Sequence, residues 1–254
     1  MTAMLTGKVA LVTGAGSGIG RATAKVMARE GARLAISDVN VEGLERTASA
    51  LRAGGTEVLA VTCDVTDEQA VAGMFEQIMG RFGRLHCAHN NAGVEGTYAR
   101  LADTTVENLD LTYSVNLKGV FLCLREELKH MLESGGGAIV NTASIAGIEG
   151  ARNLPAYVAS KHACLGLTRT TALEYASRGI RVNAVCPGPI KTPMMDNIVA
   201  SKPGLEGPMT QAVPMRRLGE PEEIAEAVAW LCSDRASYVT GHGMVIDGGM
   251  TAGS

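Results

Sequence analysis

An α/β fold built on one doubly wound parallel sheet of seven strands, with helices on both faces, is the architecture this sequence predicts. Three observations predict it. Short aliphatic and β-branched runs alternate with amphipathic helical stretches along the whole chain. The first run passes directly into a glycine-rich turn that opens a helix. No linker, repeat or charge block interrupts the alternation, so one domain over 1–254 is expected. Right-handed crossovers then leave the doubly wound sheet as the economical topology.

The elements follow in order. Lys8 to Thr13 is the first strand, and Ile19, Ala22, Val26 and Met27 form the apolar stripe of the helix behind it. Arg33 to Ser37 is the second strand, with Leu44, Ala48 and Leu51 marking the second helix. Glu57 to Val61 is the third, followed by a face of Val71, Met74, Phe75 and Ile78. Leu85 to His89 is the fourth, and one long helical stretch runs from about Thr104 to Leu132. Ala138 to Thr142, a helix from about Pro155 to Ser177, and Ile180 to Cys186 continue the pattern. A Pro- and Met-rich stretch over 190–215 is too long for an ordinary connection and reads as a lid, or else as an extra packed helix pair. Ile224, Ala227, Val228 and Leu231 then mark a helix, and Met244-Val245-Ile246 the last strand.

Composition narrows the function. The 23 Lys+Arg and 26 Asp+Glu are interspersed and leave a net charge of −3. That excludes a polyanion-binding arm and an acidic tail, and it leaves nucleic acid without the basic stripe it requires. The 31 glycines fall in short turns without a period, which excludes collagen. With 46% hydrophobic but only 4% aromatic residues, small aliphatic side chains must fill the core. No apolar run approaches the roughly 18 residues of a membrane helix, and Met1 to Lys8 lacks a basic segment followed by a signal-like apolar stretch. Cysteines 63, 87, 123, 164, 186 and 232 are scattered without a C-x-x-C pair. They read as reduced, buried small hydrophobes, and a cytoplasmic location is expected.

The turn after the first strand is Thr13-Gly14-Ala15-Gly16-Ser17-Gly18-Ile19-Gly20. Its spacing is T-G-x-x-x-G-x-G, related to G-x-G-x-x-G but distinct from it. Glycine permits a tight turn and close approach to a ligand, and a helix N-terminus offers free N–H groups to phosphate. The other reading is a tight turn with no ligand. Asp38 ends the second strand, where a carboxylate can accept both ribose hydroxyls of a dinucleotide; helix capping is its alternative role. The same carboxylate would oppose a 2′-phosphate, at a cost of about 4 kcal/mol for charges about 4 Å apart at an effective dielectric near 20. Positions 17 and 39 are Ser and Val and offset nothing. The expected cofactor is therefore NAD.

Tyr157-Val158-Ala159-Ser160-Lys161 sets a phenol and an ammonium at i and i+4 on one helix face. Tyr ordinarily titrates near 10, so it becomes a base near neutrality only if a cation such as Lys161 or an oxidised nicotinamide stabilises the phenolate. Y-x-x-x-K alone is common and usually marks a solvated face. Here it has company: Asn90-Asn91-Ala92-Gly93 after the fourth strand, Asn116 in the long helix, Ser144-Ile145-Ala146-Gly147 after the fifth, and Pro187-Gly188-Pro189-Ile190-Lys191-Thr192 after the sixth. All fall at carboxyl ends of strands or on helices beside them, where open α/β sheets bind ligands.

With these motifs in this order, the sequence resembles the short-chain dehydrogenase/reductase family from about Leu5 to Gly249. The resemblance implies a Rossmann-type domain and a catalytic set of Asn116, Ser144, Tyr157 and Lys161. It implies that Tyr157 is the general base, Ser144 holds the substrate oxygen, Lys161 tunes Tyr157 and binds the nicotinamide ribose, and Asn116 holds a water on a proton path. It further implies cofactor contacts from Gly14, Ser17, Gly18, Ile19, Gly20, Asp38, Asp64, Val65, Asn91, Ala92, Gly93, Tyr157, Lys161, Pro187, Gly188, Ile190 and Thr192. Asp64 and Val65 would lie near the adenine. A homotetramer is implied as well, built from the helix carrying Tyr157, the helix before it and the segment from Thr240 to Gly249.

One position departs from the family. An Asp usually follows two residues after the Gly-Arg before the fourth strand, and His86 stands there, which touches a strand-edge hydrogen bond. His86 and His89 point to opposite faces of a strand and no second Cys/His pair exists, so no metal is expected. The substrate pocket is expected from Glu95, Ile145, Ala146, Glu149, Leu154, Met194 and Met195, with Met209 further along the lid. A Met-rich lining suits a bulky or cyclic, mostly apolar substrate, though the same residues also serve as core filler. The reading is thus an NAD-dependent oxidoreductase interconverting a secondary alcohol and a ketone. Two other readings stand beside it: an NADPH-dependent 3-oxoacyl carrier-protein reductase, and a catalytically silent dinucleotide-binding scaffold.

Overall fold

In the computed structural model, which describes residues 3–201, 204 and 206–253, seven strands form one sheet. They are β1 (Val9–Thr13), β2 (Arg33–Asp38), β3 (Val58–Thr62), β4 (Cys87–Asn90), β5 (Gly137–Thr142), β6 (Ile180–Pro187) and β7 (Gly243–Ile246). The spatial order is β3-β2-β1-β4-β5-β6-β7 and every pairing is parallel. The order reverses between β1 and β4, so their carboxyl ends open a crevice, the usual ligand position in such sheets.

Alternation along the strands supplies two cores. Val9 and Leu11 point to one face, where they join α3 (Glu68–Phe82), α5 (Val120–Ser134) and α6 (Pro155–Tyr175). Ala10 and Val12 point to the other, against α1 (Gly18–Arg29), α2 (Val41–Ala53) and α9 (Pro221–Cys232). Both faces are buried, which is why the strands read as near-continuous apolar runs. All six cysteines are buried free thiols within these layers.

Two expectations differ in form. The long helix over 104–132 is instead α4 (Val106–Tyr113), a π-helical turn (Ser114–Gly119) and α5. The turn coincides with Asn116, whose side chain bonds across to Val94 and Ser160 rather than lying along a regular helix face. The stretch 190–215 contains α7 (Pro193–Ser201) and α8 (Glu206–Ala212). Met195, Ile198 and Leu218 cluster there with Tyr98, Val199 and Met209 packed against them, so this segment has a small core of its own.

His86 preserves the strand-edge bond that its substitution for Asp put at stake. Its Nδ1 accepts from the Val9 N–H at 2.9 Å. Burial, helped by Arg84, Lys8 and Arg33, lowers its pKa to about 4, so the ring stays neutral and keeps that lone pair available. His89 is fully buried and bonds through Nε2 to Thr142 Oγ1 at 2.8 Å.

Candidate active site

A cavity of about 780 Å³ opens at the β1–β4 switch point, within the range of small-molecule and cofactor sites. One end is the glycine turn. Gly14 and Gly18 have φ of +65° and +49°, in the region other residues avoid. A Cβ on Gly14 would sit 2.9 Å from Ala92 Cα, and one on Gly20 only 2.1 Å from the Gly14 carbonyl oxygen. Gly20 therefore lets α1 press against the turn, and it does not line the cavity.

The start of α1 is unlike that of its neighbours. Asn40, Asp67 and Thr105 each accept N–H bonds at the starts of α2, α3 and α4. Ser17 makes no such cap on α1, and no acidic residue occupies the first turn. The free N–H groups and the positive end of the helix dipole are left facing Ser17, Gly18 and Ile19, all of which line the cavity.

Asp38, Asp64 and Val65 also line the cavity, with Val39, Cys63 and Thr66, which the sequence did not single out. Asp38 does more than face outward. Its Oδ2 accepts from Gly16 N and its Oδ1 from Asn40 N, both at 2.8 Å, so it shapes the turn and starts α2. Beyond positions 17 and 39, a basic residue does stand near Asp38 in the fold: Arg21, one turn into α1. Its guanidinium donates to the Gly16 carbonyl and to Thr47 Oγ1, and it does not line the cavity.

The middle of the cavity is tied by Thr13 and Asn91. Thr13 Oγ1 accepts from the N–H groups of Asn91 and Ala92, and Asn91 Nδ2 donates to the carbonyls of Thr13 and Gly14. Ala92, Gly93, Pro187, Gly188, Ile190 and Thr192 also line the cavity.

Ser144, Tyr157 and Lys161 meet at the far side. Ser144 follows β5, and its hydroxyl bonds to Tyr157. Pro155 opens α6 and places Tyr157 and Lys161 on its first turns. Lys161 Nζ donates to the Thr142 carbonyl at 2.8 Å and lies 5.6 Å from the Tyr157 ring centroid. The expectation that Lys161 lowers the Tyr157 pKa is not met by the chain alone. Burial raises the phenol to about 12, the Ser144 bond pulls it back, and Glu95 and Cys164 push it further up. Burial also lowers Lys161.

Asn116 is buried and does not line the cavity. Its Oδ1 accepts from Val94 N at 2.8 Å, and its Nδ2 donates to Val94 O and Ser160 Oγ. Those bonds hold the chain after β4 against α6, directly behind Gly93.

Of the expected pocket residues, Glu95, Ile145, Ala146, Leu154, Met194 and Met195 line the cavity, and Glu149 does not. Glu149 lies beyond the short helix after Ser144, with one carboxylate oxygen buried and without a hydrogen-bond partner. Tyr98, Leu111, Ala151, Ile198 and Met250 line it too. Met209 lines it as well and packs against the core of the 190–215 segment. Tyr98 donates its hydroxyl to Glu95 Oε1 at 2.8 Å, a three-residue spacing in a loop that carries no periodic signal.

Residues 14–251 match a family model described as enoyl-(acyl carrier protein) reductase. The chain is 43% identical to cyclohexanol dehydrogenase of Acinetobacter sp. (strain SE19), covering 96% of this chain and 95% of that protein. It is 45% identical to levodione reductase of Leifsonia aquatica, covering 99% and 97%. The crystal structure of levodione reductase superposes with a TM-score of 0.96 at 45% identity, over 98% of this chain and all of that one. Among further solved structures are an NAD+-bound xylitol dehydrogenase (TM-score 0.93, 39% identity, covering 96% and 99%) and an NAD(P)-dependent gluconate 5-dehydrogenase type from Beutenbergia cavernae with NADP at low occupancy (TM-score 0.93, 36% identity, covering 99% and 100%).

Proposed function

The chain belongs to the short-chain dehydrogenase/reductase family, and on that premise we propose that it interconverts a cyclic secondary alcohol and its ketone with NAD. One observation carries the reading. Ser144, Tyr157 and Lys161 line the same cavity as Asp38 and the uncapped start of α1, with the Ser144 hydroxyl bonded to Tyr157. Members of the family bind a nicotinamide dinucleotide, and the residues here fit one. Glycines 14 and 18 take the positive φ that the turn needs and pack against Ala92 and Thr192, N–H donors at the start of α1 lack a side-chain cap, and Asp38 lines the cavity where ribose hydroxyls would bind.

Bound oxidised nicotinamide supplies the hydride acceptor and a positive charge that favours the phenolate. Tyr157 then takes the hydroxyl proton of the substrate as the C–H bond at the carbinol carbon breaks and the carbonyl forms. Ser144 donates to the same oxygen and holds it toward Tyr157. Lys161, fixed by the Thr142 carbonyl, offers its remaining donors to a ribose. Asn116 keeps Val94 and Gly93 in place behind that ammonium. In the reverse direction Tyr157 returns the proton.

The apolar lining from Ile145, Leu154, Met194, Met195 and Ile198 supports a compact hydrocarbon ring, as do the relatives named for cyclohexanol and levodione. The segment 190–215 acts in this reading as a lid over the single domain, since Met194, Met195, Ile198 and Met209 all reach the cavity from it. A homotetramer is supported by apolar side chains exposed on α5 (Phe121), on α6 (Leu173) and near β7 (Tyr238, Val245). No helix among the described residues is long and apolar enough to cross a membrane, and six free buried thiols suit a reducing cytoplasm. The test is reduction of NAD by a panel of cyclohexanols, open-chain secondary alcohols, polyols and acyl thioesters. Cyclohexanols should turn over best; a response confined to acyl thioesters or sugars would refute the reading.

Glu95 offers a separate check on Tyr157 as base. Its carboxylate opposes the phenolate, so Glu95→Gln should lower the Tyr157 pKa. Oxidation rises with pH as the phenol loses its proton, and its midpoint should therefore move downward, by roughly half a unit to one unit. An unmoved or upward midpoint would contradict the assignment.

A further inference from the structure

Beneath the floor of the cavity lies a buried polar chain that the proposed reaction leaves unused. Glu127 on α5, Asn141 on β5 and Thr168 on α6 have no exposed surface, and Asn90 on β4 has almost none. Asn90 Nδ2 donates to Glu127 Oε2 at 3.1 Å and to Asn141 Oδ1 at 3.0 Å, and Asn141 Nδ2 donates to Thr168 Oγ1 at 2.9 Å. Asn90 and Asn141 are register partners. The next residue on each strand belongs to the site: Asn91 holds the glycine turn, and the Thr142 carbonyl holds Lys161.

Two atoms of this Glu127–Asn90–Asn141–Thr168 network lack a hydrogen-bond partner, Glu127 Oε1 and Asn90 Oδ1. They belong to the two groups already joined by one bond. As a carboxylate oxygen and an amide oxygen both only accept, and leaving either unpaired inside the protein is costly. A proton on Oε1 turns it into a donor and satisfies both atoms at once.

We propose that Glu127 is a positioning residue kept as the neutral acid, its hydroxyl donating to Asn90 Oδ1 so that carboxyl and amide pair through two hydrogen bonds. The pair fixes the ends of β4 and β5 from which Asn91 and the lysine-holding carbonyl of Thr142 project. Burial raises the Glu127 pKa to about 8, opposed only by the Asn90 bond. The titratable groups that feel Glu127 are Cys123, one turn earlier on α5, and Cys232 on α9. Burial holds the first, and the Cys87 thiol with burial the second, well above their ordinary range, so both stay neutral. His130, three residues on, stacks on Phe75 with ring centroids 5.9 Å apart.

The sign of the pH effect follows. In the unfolded chain Glu ionises near 4.3, whereas in the fold it holds its proton to about 8. Between those values wild type loses stability relative to a neutral isostere, and above them the difference is constant. Glu127→Gln should therefore melt higher than wild type, by a margin that widens by several degrees from about pH 5 to about pH 8 and then levels. Its amide donates where the acid did, so kcat and the dinucleotide KM should stay within about threefold. Glu127→Met leaves Asn90 Oδ1 and one Nδ2 N–H without a partner, the other N–H still reaching Asn141, and should lower kcat about tenfold or more.

Infrared spectra at neutral pD provide a readout that does not depend on the Met variant folding: a protonated-carboxyl carbonyl band present in wild type and missing from Glu127→Gln. Parallel melting profiles without that band would mean an ionised Glu127 and overturn the proposal. A folded Glu127→Met with unchanged kcat would overturn the positioning role. The kinetic arm rests on the alcohol dehydrogenase reading, whereas melting and infrared do not, so the two failures are distinguishable.

Discussion

Replacing Tyr157 by Phe should lower kcat roughly 10³-fold, as expected for loss of a positioned proton acceptor. Dinucleotide affinity should change by no more than about twofold, because the ring survives and binding contacts shared by ground and transition states are untouched. The change is sharp for a geometric reason. The Ser144 and Tyr157 hydroxyls are the pair in bonding contact at this wall, and Lys161 is committed to the Thr142 carbonyl. The fold should tolerate the substitution, since one hydrogen bond is lost at a net of about 1 kcal/mol and the ring keeps its place near the Lys161 ammonium. Adding Ser144→Ala to Tyr157→Phe should cost little more, because the two hydroxyls act on one oxygen and their losses do not add. Turnover within tenfold of wild type in the single variant would remove Tyr157 from the chemistry; the measurement is steady-state kcat beside dinucleotide titration.

Much of this site can be read from the sequence, and the parts that cannot share a physical cause. The strands are legible because both faces of a parallel sheet are buried, so each is a short apolar run with a turn signal at its end. The glycine turn, Asp38 and the Tyr157/Lys161 pair are legible because the chemistry demands fixed spacing within one turn or one helix. What escapes is whatever depends on groups far apart in sequence. Periodicity over 104–132 suggests one helix, but the π turn is set by Asn116 reaching Val94 and Ser160, 22 and 44 residues away. Tyr98 and Met250 enter the cavity from loops whose paths no local pattern dictates. The direction of the Tyr157 pKa depends on burial and on Glu95, which spacing along α6 does not reveal. His86 shows the converse: a residue outside the family pattern still supplies a lone pair to Val9 N, because burial and three nearby cations keep its ring neutral.

Cofactor preference should invert when the charge at the end of β2 is reversed. In wild type, Asp38 lines the cavity while Val39 beside it is exposed and uncharged. A 2′-phosphate about 4 Å from that carboxylate meets about 4 kcal/mol of repulsion at an effective dielectric near 20, which is on the order of 10³ in kcat/KM. The Arg21 guanidinium does not cancel this, because it is spent on the Gly16 carbonyl and Thr47 and stays out of the cavity. Asp38→Ala alone should weaken NAD about tenfold through loss of charge-assisted bonds to the ribose, with little gain for NADP because no cation replaces the carboxylate. Asp38→Ala combined with Val39→Arg should go further, since a guanidinium binds phosphate through paired hydrogen bonds. The ratio of kcat/KM for NADP to that for NAD should then rise by at least about a hundredfold over wild type. The bonds from Gly16 N and Asn40 N to Asp38 are lost in both variants, so both should melt a few degrees lower by similar amounts. The cofactor switch must therefore be read from the kinetic ratio and not from stability. Wild type favouring NADP, or a double variant with an unchanged ratio, would show that Asp38 shapes the glycine turn without selecting the nucleotide.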